Sequence, residues 1–138
     1  MNREYKRKGL YLTHKSLIAV VDDDQSVRAG LENLMSSVGF EVKLFASAED
    51  FLDSKTRLQA DCAILDVCLP GISGLQLQQR LAAERQDIPI IIITAQGDDR
   101  TQDEAVAAGA IAFLKKPFRD EVLLTALETA LNRNKSES

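Results

Sequence analysis

Five short apolar runs recur between Leu17 and Leu131, and the segments between them bring apolar residues back every three or four positions. Strand-length runs alternating with helix-period segments are the pattern of parallel strands joined by crossover helices. Leu17–Val21 reads as a buried strand. Gln25–Val38 follows as a helix with Val27, Leu31, Leu34, Met35 and Val38 on one face, closed by Gly39 as a left-handed cap. Glu41–Phe45 alternates like a more exposed strand, and Ser47 caps a short helix to about Ser54, with Asp50 completing most of a capping box.

Asp61–Asp66 reads as the third strand, followed by the turn Pro70-Gly71-Ile72 and a helix from Ser73 to about Glu84. Pro89 precedes Ile90–Ile93, whose unbroken apolar character fits a central strand covered on both faces. Thr94 ends that strand, Asp98 or Asp99 opens a helix reaching Ala107, and Gly109 caps it. Ala110–Leu114 reads as a fifth strand and Arg119–Leu131 as the last helix. Crossovers of this kind are right-handed, so the units predict an α/β fold: a parallel sheet with helices on both faces and a site beyond the strands' carboxyl ends.

The 138 residues suit one domain. The expected organisation is a basic, flexible tail over 1–15, a domain over 16–131 and a short polar tail over 132–138. Arg3, Lys6, Arg7, Lys8 and Lys15 against Glu4 make the first segment basic, so a net charge of −4 for the whole chain leaves the remainder clearly acidic, which argues against direct nucleic-acid contact by the domain. No apolar stretch has signal-peptide or membrane-spanning length, so a cytoplasmic protein without membrane contact is expected. Cys62 and Cys68 are too few for a zinc site, the only histidine being His14, and both read as reduced thiols.

The chemistry gathers where strands end. Asp22 and Asp23 follow the first strand and Asp66 closes the third. Three carboxylates converging on one crevice repel one another unless a positive charge lies between them, and a hard divalent cation, Mg²⁺ with Mn²⁺ as its substitute, meets that need while leaving room for phosphate oxygens. Thr94 ends the fourth strand, and Lys116 with Pro117 follows the fifth. Acids, a hydroxyl and an ammonium at one edge form a set that can hold a phosphoryl group. Asp24 reads as a helix-capping or first-turn acid outside this set, and Gly74 as easing the approach of the third helix.

Taken in order, Val20-Val21-Asp22-Asp23-Asp24, the segment from Leu65-Asp66 to Ser73-Gly74, Thr94-Ala95 and Lys115-Lys116-Pro117-Phe118 resemble a receiver domain of a two-component response regulator. The likeness covers about Leu17 to Leu131 and is nearest to receivers of the nitrogen-fixation-regulator type. It implies a flavodoxin-like five-stranded sheet of order 2-1-3-4-5. It also implies Asp66 as phosphoacceptor from a sensor histidine kinase's phosphohistidine. Mg²⁺ would be held by Asp23 and Asp66, by Asp22 through water and by the Cys68 backbone carbonyl. Thr94 and Lys116 would hold phosphoryl oxygens, Thr94 and Phe113 would act as switch residues, and the Lys116–Pro117 bond would be cis. The expected output is a phosphorylation-dependent homodimer or transcriptional control through the face of helix 4, strand 5 and helix 5.

Two other classes compete. A receiver used for docking or dimerisation without phosphorylation is weakened by the intact acceptor set. A metal-dependent phosphatase or phosphotransferase would want a general acid two residues beyond its nucleophilic aspartate, where this chain has Cys68. A signalling switch with self-phosphorylation and self-dephosphorylation chemistry, not an enzyme, is therefore expected. The Cys68 thiol is a poor donor and, with Gln96 near the same opening, predicts a phosphoryl group that hydrolyses slowly.

Overall fold

The computed structural model describes residues 15–84, 87–95 and 99–136, the last four by their backbone. All but one residue of the basic segment, together with Gln96 and Asp98, lie outside the described residues. Five strands form one parallel sheet in the order β2-β1-β3-β4-β5: β1 Leu17–Val21, β2 Glu41–Phe45, β3 Cys62–Asp66, β4 Ile90–Thr94 and β5 Ala112–Lys115. The connecting helices are α1 Gln25–Ser37, α2 Ala48–Asp53, α3 Gly74–Ala83, α4 Asp99–Ala107 and α5 Asp120–Ser136.

The order follows from burial. Every residue of β1, β3 and β4 is buried, whereas the edge strand β2 exposes Glu41 and Lys43, charges that discourage pairing with another sheet. Ile18, Val20, Ile64, Ile91 and Ile93 point to one side and pack with Leu31 and Met35 of α1 and Leu123 and Leu127 of α5. Ala19, Val21, Leu65 and Ile92 point to the other, against Phe51 of α2, Leu77 and Leu81 of α3 and Ala105 of α4. Period-two alternation between two covered faces is why the isoleucine run stays apolar throughout. Each of these isoleucines, removed from water, contributes about 2–3 kcal/mol.

Helix ends follow local chemistry. Asp24 caps α1 by accepting from the amides of Ser26 and Val27, in the capping role expected for it. Ser47 accepts from the Asp50 amide, and Ser73 and Gln76 form a reciprocal capping box at α3. Gly39 and Gly109 follow α1 and α4 with φ of 97° and 101°, a region that favours glycine.

Several boundaries depart from the sequence reading. Helix α1 ends at Ser37, and Val38, expected on its apolar face, is the C-cap and half-exposed. Ser73 caps α3 from outside the helix, and Asp61 precedes β3, where its carboxylate accepts from the Leu17 amide at 2.8 Å. Strand β5 starts at Ala112, because the Ala110 amide still donates to Ala105 at the end of α4. An unforeseen 3₁₀ turn, Lys55–Leu58, follows α2. Helix α5 runs beyond Leu131 to Ser136, so most of the segment expected as a polar tail is helical; it contains no Gly or Pro to stop the helix.

Candidate functional site

The carboxyl ends of β1, β3 and β4 and the turn after β5 meet at one edge of the sheet, and the pairing register sets what stands there. Asp66 is the last residue of β3 and pairs with Ile93, one residue before Thr94. Asp22 follows β1, its amide donating to the Phe45 carbonyl at 3.1 Å. Lys116 follows β5, its amide donating to the Thr94 carbonyl at 2.8 Å, and its bond to Pro117 is cis.

One carboxylate oxygen from each of Asp22, Asp23 and Asp66 lies within 4.8 Å of the others. Asp22 and Asp66 are buried and Asp23 is exposed. Lys116 Nζ reaches into the cluster, donating to Asp22 Oδ2 at 2.8 Å and to Asp66 Oδ2 at 3.1 Å. The other oxygen of each buried acid is also engaged, Asp22 Oδ1 by the Asp24 amide at 2.8 Å and Asp66 Oδ1 by the Cys68 amide at 2.9 Å. Asp23, by contrast, has no hydrogen-bond or ion-pair partner among the described residues.

These contacts set the charge states. Burial pushes the Asp22 carboxyl up and repulsion from Asp66 adds to it, outweighing the bonds from Lys116 and the Asp24 amide. Burial alone would lower the Lys116 ammonium, but hydrogen bonds and attraction to Asp22 and Asp66 more than offset this and hold it above the usual lysine range. The cluster therefore has two buried acids sharing one ammonium, with a third, partnerless carboxylate on its open side. All-oxygen donors with unspent negative charge suit a hard divalent cation, so the residues fit Mg²⁺.

The remaining predicted residues divide. Thr94 is fully buried at the end of β4, beside Asp66's strand. Cys68 is exposed and presents its backbone amide to Asp66. Phe113 is half-buried in β5 opposite Ile92, packed against the core side that holds α2, α3 and α4. Gly74 is tighter than expected: a Cβ there would fall 2.8 Å from the carbonyl carbon of Asp66 and 2.9 Å from Val67 Cα, and closer still to the Asp66 carbonyl oxygen. Helix α3 thus starts directly against the backbone of the central acid.

Three contributors escaped the sequence reading. Arg28 Nη1 of α1 donates to the Asp22 carbonyl at 2.7 Å. Glu49 of α2 accepts from the Ile72 amide at 3.1 Å, steadying the turn after β3. Gln78 of α3 is buried and donates to the Ala105 carbonyl at 3.0 Å, while its Oε1 has no partner. A hint for Arg28 was available: a cation early in a helix opposes the macrodipole and so suggests another partner.

Comparison with known proteins places this geometry. The profile of the response regulator receiver domain matches residues 18–128. The response regulator protein TmoT of Ectopseudomonas mendocina is 47% identical over 85% of this chain and 53% of its own length. The transcriptional regulatory protein FixJ of Bradyrhizobium diazoefficiens is 40% identical over 88% of this chain and 60% of its own length. The solved structure of the response regulator StyR superposes with a TM-score of 0.83 at 47% identity, covering 90% of this chain and 63% of that one. The chain spans about half the length of the curated relatives it matches, 53% in the case of TmoT. No described helix is long and apolar enough to cross a membrane.

Proposed function

The chain belongs to the response regulator receiver domain family, with relatives that include FixJ, and from that membership we propose that it is a phosphorylation switch with Asp66 as acceptor. The observation that carries this reading is the shared ammonium: Lys116 bridges Asp22 and Asp66 within an acid cluster that fits a divalent cation.

Asp23 and Asp66 would hold Mg²⁺, with the Cys68 carbonyl as a backbone ligand, and Mn²⁺ would serve in its place. Asp22, the acid with no exposed surface, would act through water. When bound, the cation neutralises charge on the entering phosphoryl group. An oxygen of Asp66 attacks phosphorus of the kinase's phosphohistidine. The P–N bond breaks, its electron pair stays on the imidazole nitrogen, and that nitrogen takes a proton from solvent. Lys116 then moves its hydrogen bond from Asp66 to a phosphoryl oxygen, and the Thr94 hydroxyl donates to another. The chemistry asks for positioning and neutralisation more than for a strong base, and an ionised carboxylate suffices as nucleophile.

The output surface is α4, β5 and α5. Val106 of α4 is 56% exposed and Val122 of α5 44%, leaving apolar surface on the elements flanking the edge strand. Phosphoryl contacts at Thr94, with Phe113 in the neighbouring strand, bias that face toward a homodimer in a cytoplasmic regulator, and transcriptional control follows in a longer chain. The domain itself makes no nucleic-acid contact.

The test is incubation with a small phosphodonor, with and without Mg²⁺, followed by intact mass. A one-phosphoryl gain that needs Mg²⁺ and disappears in Asp66→Asn is the expected result; a gain indifferent to chelation contradicts the cation's role.

A further inference from the structure

We propose that Arg28 is a positioning residue for the cation site, acting through the Asp22–Asp23 peptide; this rests on the reading of the acid cluster as a divalent-cation site. Asp22 is fixed at four points: its amide on Phe45, Oδ1 under the Asp24 amide, Oδ2 under Lys116, and its carbonyl under Arg28. The first three bonds fix the strand end and the side chain. The fourth alone acts on the carbonyl, which shares one rigid peptide plane with the nitrogen of Asp23.

That plane matters because of what Asp23 lacks. Its exposed carboxylate has no hydrogen-bond partner among the described residues, so nothing in its own contacts aims it. Its direction comes from its neighbours, Asp24 on one side, locked as the cap of α1, and the Asp22 carbonyl on the other. Arg28 lies one turn into the same helix, where its amide bonds to the Asp24 carbonyl at 3.1 Å. One helix therefore holds both flanks of the ligand, one through its cap and the other through a half-buried guanidinium at 2.7 Å, a short charge-assisted bond.

The guanidinium has a competing effect of opposite sign. Its positive charge near the acids repels an arriving cation, so removing it would tighten cation binding if charge were all that mattered. Removing it would loosen binding if aiming Asp23 matters more. The two accounts thus differ in sign.

The experiment is calorimetric titration of the full chain with Mg²⁺ alone, comparing wild type, Arg28→Met, Arg28→Lys and Asp23→Asn, with urea midpoints measured in parallel. Loss of outer-shell support for a metal ligand weakens binding by about tenfold, the size expected for Arg28→Met. Arg28→Lys should recover most of that loss, since a single donor is all the Asp22 carbonyl receives. Mg²⁺ binding in Arg28→Met as tight as wild type, or tighter, overturns the proposal. If Arg28→Met does not fold, Arg28→Leu, which also lacks a donor, is read by the same criterion. Should Asp23→Asn also bind normally, the acid-cluster reading itself fails; if only Asp23→Asn is impaired, that reading stands and the role of Arg28 falls.

Discussion

The Lys116 ammonium sits 2.8 Å from Asp22, a carboxylate with no exposed surface, and also reaches Asp66 at 3.1 Å. The fold therefore has a cation at its acid cluster before any metal or phosphoryl group arrives. Lys116→Met leaves Asp22 buried without its counter-charge, and breaking such a pair costs about 3 kcal/mol. The expected outcome is a lower urea midpoint in chelator and a larger gain from Mg²⁺ than in wild type. The sign with pH follows from the raised ammonium: the pair's stabilisation is complete below the ordinary lysine value of 10.5 and is lost as pH rises through the higher folded value. Wild type should lose more stability in that alkaline window than Lys116→Met, which keeps only the loss due to the buried Cys62 thiol.

Asp23 spends its carboxylate on no protein partner among the described residues, so removing its charge should cost binding and not folding. For Asp23→Asn, the unfolding free energy from urea titration in chelator should stay within about 0.5 kcal/mol of wild type, as for a surface change. Mg²⁺ affinity measured by titration should fall by an order of magnitude or more if Asp23 is one of the few carboxylate ligands proposed for the cation.

Gly74 leaves no room for a side chain against the backbone of Asp66 and Val67. In Gly74→Ala the obstacle is main chain, which cannot turn aside as a flexible side chain can, and overpacking of this kind costs about 2–3 kcal/mol. Urea unfolding should register that loss. Phosphoryl uptake should fall as well, because relieving the clash displaces the backbone of Asp66, the proposed acceptor.

The two thiols should separate cleanly. Burial, with the neighbouring Asp61 charge adding to it, pushes the Cys62 thiol up to about 12, whereas Cys68 stands exposed. Iodoacetamide at mildly alkaline pH should modify the native protein once, at Cys68, and the urea-unfolded protein twice, as read by peptide mass. Cys68→Asn places an amide donor and acceptor two residues from Asp66, where the thiol is a poor donor. A severalfold faster loss of the phosphoryl group is expected on an intact-mass time course.

Most of the architecture was legible because it rests on one-dimensional patterns. The isoleucine run at 90–93 announced a doubly covered strand, and the glycines at 39 and 109 marked helix ends. Ala110 misled because its apolar side chain fits a strand while its amide is still claimed by the last turn of α4. The acids were legible because carboxylates at the ends of apolar runs are costly without a purpose. What stayed hidden were the side-chain bonds to backbone, Arg28 on the Asp22 carbonyl and Glu49 on the Ile72 amide, and the second bond of Lys116, to the Asp22 carboxylate; its pairing with Asp66 was expected. Such bonds depend on how helices settle on the sheet, and no periodicity records them.

Asp66, and neither of its acidic neighbours, is the proposed acceptor of the phosphoryl group. Borohydride reduces an aspartyl phosphate to homoserine, so treating the phosphodonor-loaded protein and sequencing its peptides by mass spectrometry locates the acyl phosphate. Homoserine at position 66, formed only when Mg²⁺ is present, is the expected result. Homoserine at position 22 or 23, or a phosphoryl gain with no homoserine at any aspartate, would contradict the account.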